Sequence, residues 1–182
     1  MARTNRKRSL PRAPGAPRTF RVALGIGALL LTTGCTAEVT GLAGVSVDER
    51  GNPIAVAVAC TGNFDGAILE DVSNFDKITI VRKWSFGAAR TTRWNIVESP
   101  IATSPKPGGT LVLKPEVPYH LTASSKDQQT TSGSVTFTVA DLARLRPGQV
   151  GYLKENYSAG TADYVVLDAT EFESLVCKEI SG

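Results

Sequence analysis

Three cysteines and a single histidine carry the most reactive side chains of this 182-residue chain. Cys60 and Cys177 are widely separated, and the chain has no Cys-x-x-Cys pair and only one histidine to complete a zinc site. In an exported protein two such thiols pair, which predicts a Cys60–Cys177 disulfide. The alternative is two free cysteines that pack as small apolar side chains. Bridged cysteines cannot serve as nucleophiles.

The histidine, His120, lies in the run Pro118-Tyr119-His120-Leu121, which predicts a strand. Histidine can act as a general base or a metal ligand. The chain offers no Gly-x-Ser-x-Gly motif to accompany it. A strand histidine, at the surface or hydrogen-bonded in the core, is the simpler interpretation. We therefore predict no catalytic residue, no metal ligand and no cofactor.

Acidic residues are the other source of possible chemistry. Glycoside hydrolysis needs two carboxylates at a defined separation, and Glu70, Asp71 and Asp76 form one neighbouring group, with Glu171 and Glu173 as another. A solvated surface is the simpler environment for such neighbours. Oxygen-bearing residues in predicted turns could also bind calcium, although the D-x-[DN]-x-[DN]-G loop pattern is absent. These turn residues are Asp48, Asn52, Asn63, Asp65, Asp71, Asn74 and Asp76.

The aromatic residues allow two interpretations. Exposed rings could form a platform on which a sugar stacks, whereas buried rings would fill the core of a β domain. We favour the core, in particular for a tryptophan in an alternating strand. The residues concerned are Trp84, Trp94, Tyr119, Tyr152, Tyr157 and Tyr164.

The N-terminal region has the three parts of an export signal. Seven basic residues and no acidic residue occur in residues 1–21, and residues 22–34 carry no charge. This apolar stretch is shorter than the roughly 20 residues that span a bilayer. Small residues, Thr33 and Gly34, precede Cys35.

This pattern resembles the signal peptide of bacterial lipoproteins, of the type found in high-GC Gram-positive bacteria, although Thr32 stands where that family prefers leucine. The resemblance implies cleavage before Cys35 and a diacylglyceryl anchor on Cys35, with palmitate as a typical acyl group. The mature protein is then expected on the extracytoplasmic face of the cell membrane. The alternatives are an ordinary secretory signal that is cut elsewhere, or an uncleaved anchor.

Cleavage would change the charge of the chain. All 17 acidic residues follow Cys35, whereas seven of the 20 basic residues precede it, so the mature part is acidic. An acidic surface does not recruit phosphate, which argues against a nucleic-acid partner. We expect three segments: a signal peptide at 1–34, a short tether at 35–42 and one domain at 43–182.

The mature part shows mostly two-residue periodicity, which predicts eight or nine short strands. Residues 44–47 and 53–60 flank a turn cluster and predict a hairpin, and residues 110–113 predict one of the other strands. Helix signals are confined to one turn after Asp141 and another from Glu171 to Leu175, after Thr170. The fold class is therefore mainly β: a single β-sandwich with one or two short helical turns.

Two local patterns are similar to those of known sandwiches. The run Leu145-Arg146-Pro147-Gly148 followed by Tyr152 resembles the tyrosine corner of fibronectin type III domains, with the tyrosine one residue later than usual. The order Cys60, Trp84, Cys177 resembles the Cys–Trp–Cys order of immunoglobulin domains. These resemblances imply an immunoglobulin-like sandwich.

An anchored β domain without a convergent set of reactive groups predicts a non-catalytic binding or assembly module of the cell envelope. Its partner would be an envelope protein or a glycan. The alternative function is a carboxylate-dependent hydrolase that acts on envelope polymers. A small-ligand or metal chaperone is disfavoured, because the mature part has few soft ligands.

Overall fold

The computed structural model describes residues 37–98, 102–104, 110–156 and 160–180. Within these residues the chain is mainly β, which confirms the predicted class, with eleven strands and two helices. The strands are β1 (Glu38–Val47), β2 (Pro53–Ala59), β3 (Phe64–Asp71), β4 (Thr79–Ala89), β5 (Thr91–Asn95), β6 (Ala102–Ser104), β7 (Tyr119–Ser124), β8 (Thr130–Gly133), β9 (Val135–Phe137), β10 (Gln149–Asn156) and β11 (Thr161–Asp168). The helices are α1 (Val139–Leu142) and α2 (Ala169–Ile180).

The strands form one sheet that folds back on itself and is nearly closed into a barrel. One wall has the order β5-β2-β1-β10-β11, and the other has the order β6-β4-β3-β7-β9. Strand β8 joins the walls, because it pairs in parallel with β1 and antiparallel with β7. The architecture is therefore intermediate between a sandwich and a barrel.

The predicted hairpin of β1 and β2 is confirmed, with seven paired positions from Gly41↔Ala59 to Val47↔Pro53. Strand β2 is buried on both faces. Its alanines point into the barrel, where Ala55 pairs in register with Trp94, and its valines point outward. Small residues on the inner face make room for the tryptophan rings of the main core.

Helix α2 covers the outward face of β2, β1 and β10 and creates a second core. Phe172 and Val176 are fully buried there, and Tyr152 packs on Phe172 with ring centroids 5.3 Å apart. Gly44 of β1 permits this approach, since an added Cβ would lie 2.5 Å from a methyl group of Val150. Tyr152, the residue that resembles a tyrosine corner, thus connects β10 to α2.

The predicted helical turn from Glu171 to Leu175 is too short, because α2 has 12 residues. Apolar residues at 172, 175, 176 and 180 lie three, four or eight positions apart and pack on one face of the helix. The parallel pairing of β1 with β8 and this outer helix are features that the immunoglobulin-like expectation did not include.

The domain begins before residue 43, so the predicted tether of 35–42 is wrong at its C-terminal end. Strand β1 starts at Glu38, which pairs with Thr130 of β8, and the Glu38 N–H donates to the carbonyl of Gln129 at 2.8 Å. Small and polar residues at 36–42 are typical of a linker. Here the backbone of β8 supplies hydrogen bonds that no local pattern reveals.

The predicted strand Thr110–Leu113 lies outside the sheet. Leu111 and Leu113 pack against the main core and Val112 is 79% exposed. The Leu111 N–H donates to the carbonyl of Val97 at 3.0 Å. The alternation of apolar residues therefore reflects one face that packs on the barrel without a strand ladder.

Helix α1 begins one turn earlier than predicted. Thr138, rather than Asp141, is its N-cap, because Thr138 ends the preceding extended segment. Asp141 closes a capping box, in which the Thr138 N–H donates to the Asp141 carboxylate at 2.9 Å.

The strand directions define the two ends of the barrel. Strand β8 runs parallel to β1, β7 runs opposite to β8, and β3 runs opposite to β7, so β3 and β1 share one direction. We call the end at which β1 begins, near Glu38, the N-terminal end. The opposite end, which carries the turns at 48–52 and 72–78, is the far end.

Candidate functional site

Cys35 and the proposed signal peptide at 1–34 lie outside the described residues, as does Tyr157. The lipid anchor therefore stays a prediction from the sequence. No helix in the described parts of the chain is long and apolar enough to cross a bilayer.

Cys60 and Cys177 form the predicted disulfide, which closes a sequence separation of 117 residues. Cys60 follows β2 at the N-terminal end, and Cys177 lies in α2, with the two Cα atoms 5.0 Å apart. The Cys60 N–H donates to the carbonyl of Thr40 at 2.7 Å, and Arg90 donates to the Cys60 carbonyl at 2.8 Å. The bridge therefore links the β1–β2 hairpin to the helix that covers it.

His120 lies on the outer face of β7, half-buried, between Glu70 of β3 and Thr136 of β9. Its Nδ1 atom is 3.0 Å from the Thr136 hydroxyl oxygen. Burial lowers the pKa of His120 below its usual value, and the nearby Glu70 carboxylate opposes this shift. The histidine is therefore mainly neutral at pH 7 and is hydrogen-bonded to Thr136 on the outer face of the sheet.

This pKa shift predicts a pH dependence of stability. The unfolded chain protonates His120 at its ordinary pKa near 6.5, whereas the folded chain resists protonation, so the free energy of unfolding falls as the pH decreases below 6.5. We expect His120→Asn to remove this component while it keeps a polar neighbour for Thr136. Urea unfolding at pH 7.5 and pH 5 would show a smaller loss for the variant. Equal losses in the two proteins would contradict the shift.

Three of the five carboxylates that could have formed a catalytic pair have structural roles. Asp71 accepts hydrogen bonds from the Ser73 N–H at 2.9 Å and the Ser73 hydroxyl at 2.6 Å, which lower the pKa of Asp71. Glu173 forms a surface ion pair with Arg93 at 3.3 Å. Glu171 lies in the first turn of α2, where a negative charge is favoured. These acids stabilise a turn, a surface pair and a helix end.

Four of the seven oxygen-bearing turn residues, Asp71 among them, are likewise used within their own turns. Asp48 accepts from the Asn52 N–H and side chain, both at 2.8 Å, and from the Arg50 N–H at 2.9 Å. The side-chain carbonyl of Asn74 accepts from the Asp76 N–H at 3.0 Å. Within the described residues no group of three or more histidine, cysteine, aspartate or glutamate side chains could hold a metal ion.

Both tryptophans belong to the core, so the interpretation as an exposed platform is wrong for them. Trp84 is 3% exposed and Trp94 is 6% exposed, and their rings meet edge to face with centroids 5.7 Å apart. Phe86 packs on Trp94 at 5.1 Å. These rings lie between β4 and β5, which do not pair with each other among the described residues.

The sequence analysis missed an apolar surface at the tip of the β3–β4 hairpin. Phe75 is 85% exposed, Ile78 is 51% exposed and Ile80 is 43% exposed. We call these three residues the hairpin patch. Phe75 is an aromatic residue inside the polar turn cluster Ser73-Asn74-Phe75-Asp76-Lys77, and this unusual position is the signal that could have revealed it.

A β-bulge explains why Ile78 and Ile80 are exposed. The pairing of β3 with β4 shifts between Leu69↔Arg82 and Glu70↔Ile80, so Val81 is an extra residue on β4. One extra residue reverses which side chains face inward. Arg82 and Trp84 are therefore buried, while Ile80 joins the outer row with Glu70 and His120. Simple alternation along the sequence predicts Ile78, Ile80, Arg82 and Trp84 on the same face of the strand.

The hairpin patch lies at the far end, because the turn at 72–78 follows Asp71 of β3. A cleft of about 330 Å³ also opens at this end, between the β1–β2 turn and α1. Its lining carries no polar side chain and includes Val47, Pro53, Val97, Leu113, Leu142 and Leu145. Such a lining offers no group for acid–base or nucleophilic chemistry.

No protein-family model, curated protein or solved structure matches this chain.

Proposed function

We propose that this protein is a lipid-anchored, non-catalytic binding or assembly module of the bacterial cell envelope. A diacylglyceryl group on Cys35 holds it on the extracytoplasmic face of the cell membrane, and another envelope protein is its partner. The single observation that carries the binding role is the hairpin patch, an exposed phenylalanine with two exposed isoleucines at the far end.

The length of chain between the anchor and the fold supports this arrangement. Glu38, where β1 begins, is three positions after Cys35, and an extended chain spans about 10 Å over that distance. An anchor on Cys35 therefore keeps the N-terminal end of the barrel at the membrane surface. The hairpin patch, at the opposite end, then points away from the lipid.

The chemistry of the hairpin patch supports a protein partner. Burial of a phenylalanine side chain contributes about 1.5–3 kcal/mol, and aromatic anchors commonly dominate binding energy. Isoleucine side chains beside the ring favour an apolar protein surface over a glycan, which needs hydrogen-bonding groups around an aromatic ring. The expected partner presents an apolar pocket that accepts Phe75.

The anchor is tested by the intact mass of the protein extracted from its own membranes. A mass that begins at Cys35 and includes acyl groups is the expected result. An unmodified mass that begins at Met1 would overturn the anchor and the orientation that depends on it.

The binding role is tested by a photocrosslinking amino acid at position 78 in the native envelope. We expect one captured protein, and we expect Phe75→Ala to lower its yield about tenfold, which corresponds to about 1.4 kcal/mol. Val112→Ala is the matched control, since Val112 is equally exposed but lies outside the patch. Equal capture in the two variants would overturn the hairpin patch as the binding site. If the protein hydrolysed cell-wall polymers and Glu70→Gln abolished that activity, the hydrolase would be supported instead.

A further inference from the structure

Strand β11 forms a long free edge of the sheet. It pairs with β10 at eight consecutive positions, from Gln149↔Asp168 to Asn156↔Thr161, without a register shift. Among the described residues no strand pairs with its other edge. Along that edge alternate backbone N–H and C=O groups point outward and can pair with a further strand.

Several of the usual protections of an edge strand are absent from β11, whose only charged residues are Asp163 and Asp168. The sequence Thr-Ala-Asp-Tyr-Val-Val-Leu-Asp contains no proline, no lysine and no glycine, and its pairing has no bulge. The other strands at the ends of the two walls, β5, β6 and β9, have five, three and three residues. Of these edges, β11 is the longest and the one best suited to accept an added strand.

The side chains of β11 indicate the chemistry of the added strand. Val166 is 39% exposed and shares its face of the strand with the exposed Asp168, whereas the exposed Asp163 lies on the opposite face. The neighbouring β10 contributes one charge of each sign, Lys154 and Glu155, so the edge is anionic overall. A complementary segment has an apolar centre flanked by basic side chains.

We propose that the free edge of β11 binds an extended, basic segment of another envelope protein as an added strand. This inference rests on the proposed function, because the anchor excludes a second copy of the chain. Strand β11 runs in the same direction as β1, since β10 runs opposite to each of them. Antiparallel pairing of two β11 strands would place the two Cys35 anchors at opposite ends, where one membrane cannot hold both.

Parallel pairing of two copies is also unfavourable. A two-fold axis along the strands sets each outward N–H opposite the same N–H of the other copy, and each outward C=O opposite the same C=O. No hydrogen-bonded ladder can form in that arrangement. A different protein with basic side chains meets neither obstacle.

The test uses the mature domain, labelled with ¹⁵N, and the peptide acetyl-KTVVTK-amide as the probe, with acetyl-ETVVTE-amide as the matched control. The two lysines are five positions apart, as Asp163 and Asp168 are, so each can lie opposite one aspartate while a valine lies opposite Val166. We expect amide shifts concentrated on β11, slower hydrogen exchange of its outward amides, and about tenfold weaker binding of the acidic peptide. The double variant D163K/D168K should reverse this preference. Val166→Lys, which leaves the strand pairing with β10 intact, should abolish binding of the basic peptide.

Shifts concentrated on the hairpin patch, or none on β11 at millimolar peptide, would overturn the proposal. A concentration-dependent dimer that protects β11 in sedimentation and exchange experiments would also overturn it in favour of a second copy. The mass measurement at Cys35 is independent of peptide binding, so failure of the anchor and failure of the edge site are distinguishable.

Discussion

Replacement of Cys60 and Cys177 together by alanine is expected to lower the free energy of unfolding by about 5 kcal/mol. The bridge closes a sequence separation of 117 residues, and the chain-entropy treatment of such a long loop gives about this value. A loss of this size is a large part of the 5–15 kcal/mol that typically stabilises a domain, and it corresponds to a decrease in Tm of about 15 °C. Urea unfolding of the oxidised protein and the double variant measures the difference.

The matched control is Cys35→Ala, which removes a cysteine that precedes the first strand. We expect its unfolding free energy to equal that of the parent domain. The parent domain treated with a reductant should behave as the double variant does. A reduced domain as stable as the oxidised one would mean that α2 and the β1–β2 hairpin hold together without the bridge.

The second large effect is expected from Phe172→Ala, which should cost about 3–5 kcal/mol. Phe172 is fully buried, packs on Tyr152 at 5.3 Å, and lies over Gly44, so its removal leaves a cavity between α2 and the sheet. Disulfide-linked Cys177 keeps the helix nearby, so the surroundings can only partly collapse into the space. Urea unfolding, with hydrogen exchange of the α2 amides, measures the effect.

Phe75→Ala is the matched control, because the same side chain is removed from a site that is 85% exposed. We expect a change within about 0.5 kcal/mol there. A similar cost for the two substitutions would mean that Phe75 packs on the fold. A small cost for Phe172→Ala would show that α2 contributes little to the second core.

The pairing of elements near each other in sequence was predictable. The alternation of residues 53–59 and the turn cluster before them predict the β1–β2 hairpin, and the structure confirms it. The disulfide was predictable by counting, because two cysteines remain once Cys35 is assigned to the lipid anchor. The mainly β class followed from the two-residue periodicity of many segments at once.

The candidate surface was not predictable in the same way. The register shift that exposes Ile80 and buries Arg82 arises from the pairing of β4 with β3, and a bulge leaves no mark in the alternation of β4 itself. The exposure of Phe75 depends on tertiary packing, which leaves the tip of the β3–β4 hairpin uncovered. The turn at 72–78 was therefore predictable from the sequence, whereas the apolar surface at this turn was not.

The sequence by itself determined which segments alternate, which residues can form a disulfide, and where an export signal is expected. Only the tertiary structure decided which face of each segment is buried, because burial depends on the partner strand and its register. The same reason explains Glu38, which is a strand residue through its pairing with β8, and α2, whose length depends on the sheet beneath it. Local patterns encode periodicity, whereas the neighbours that select one face are far away in the chain.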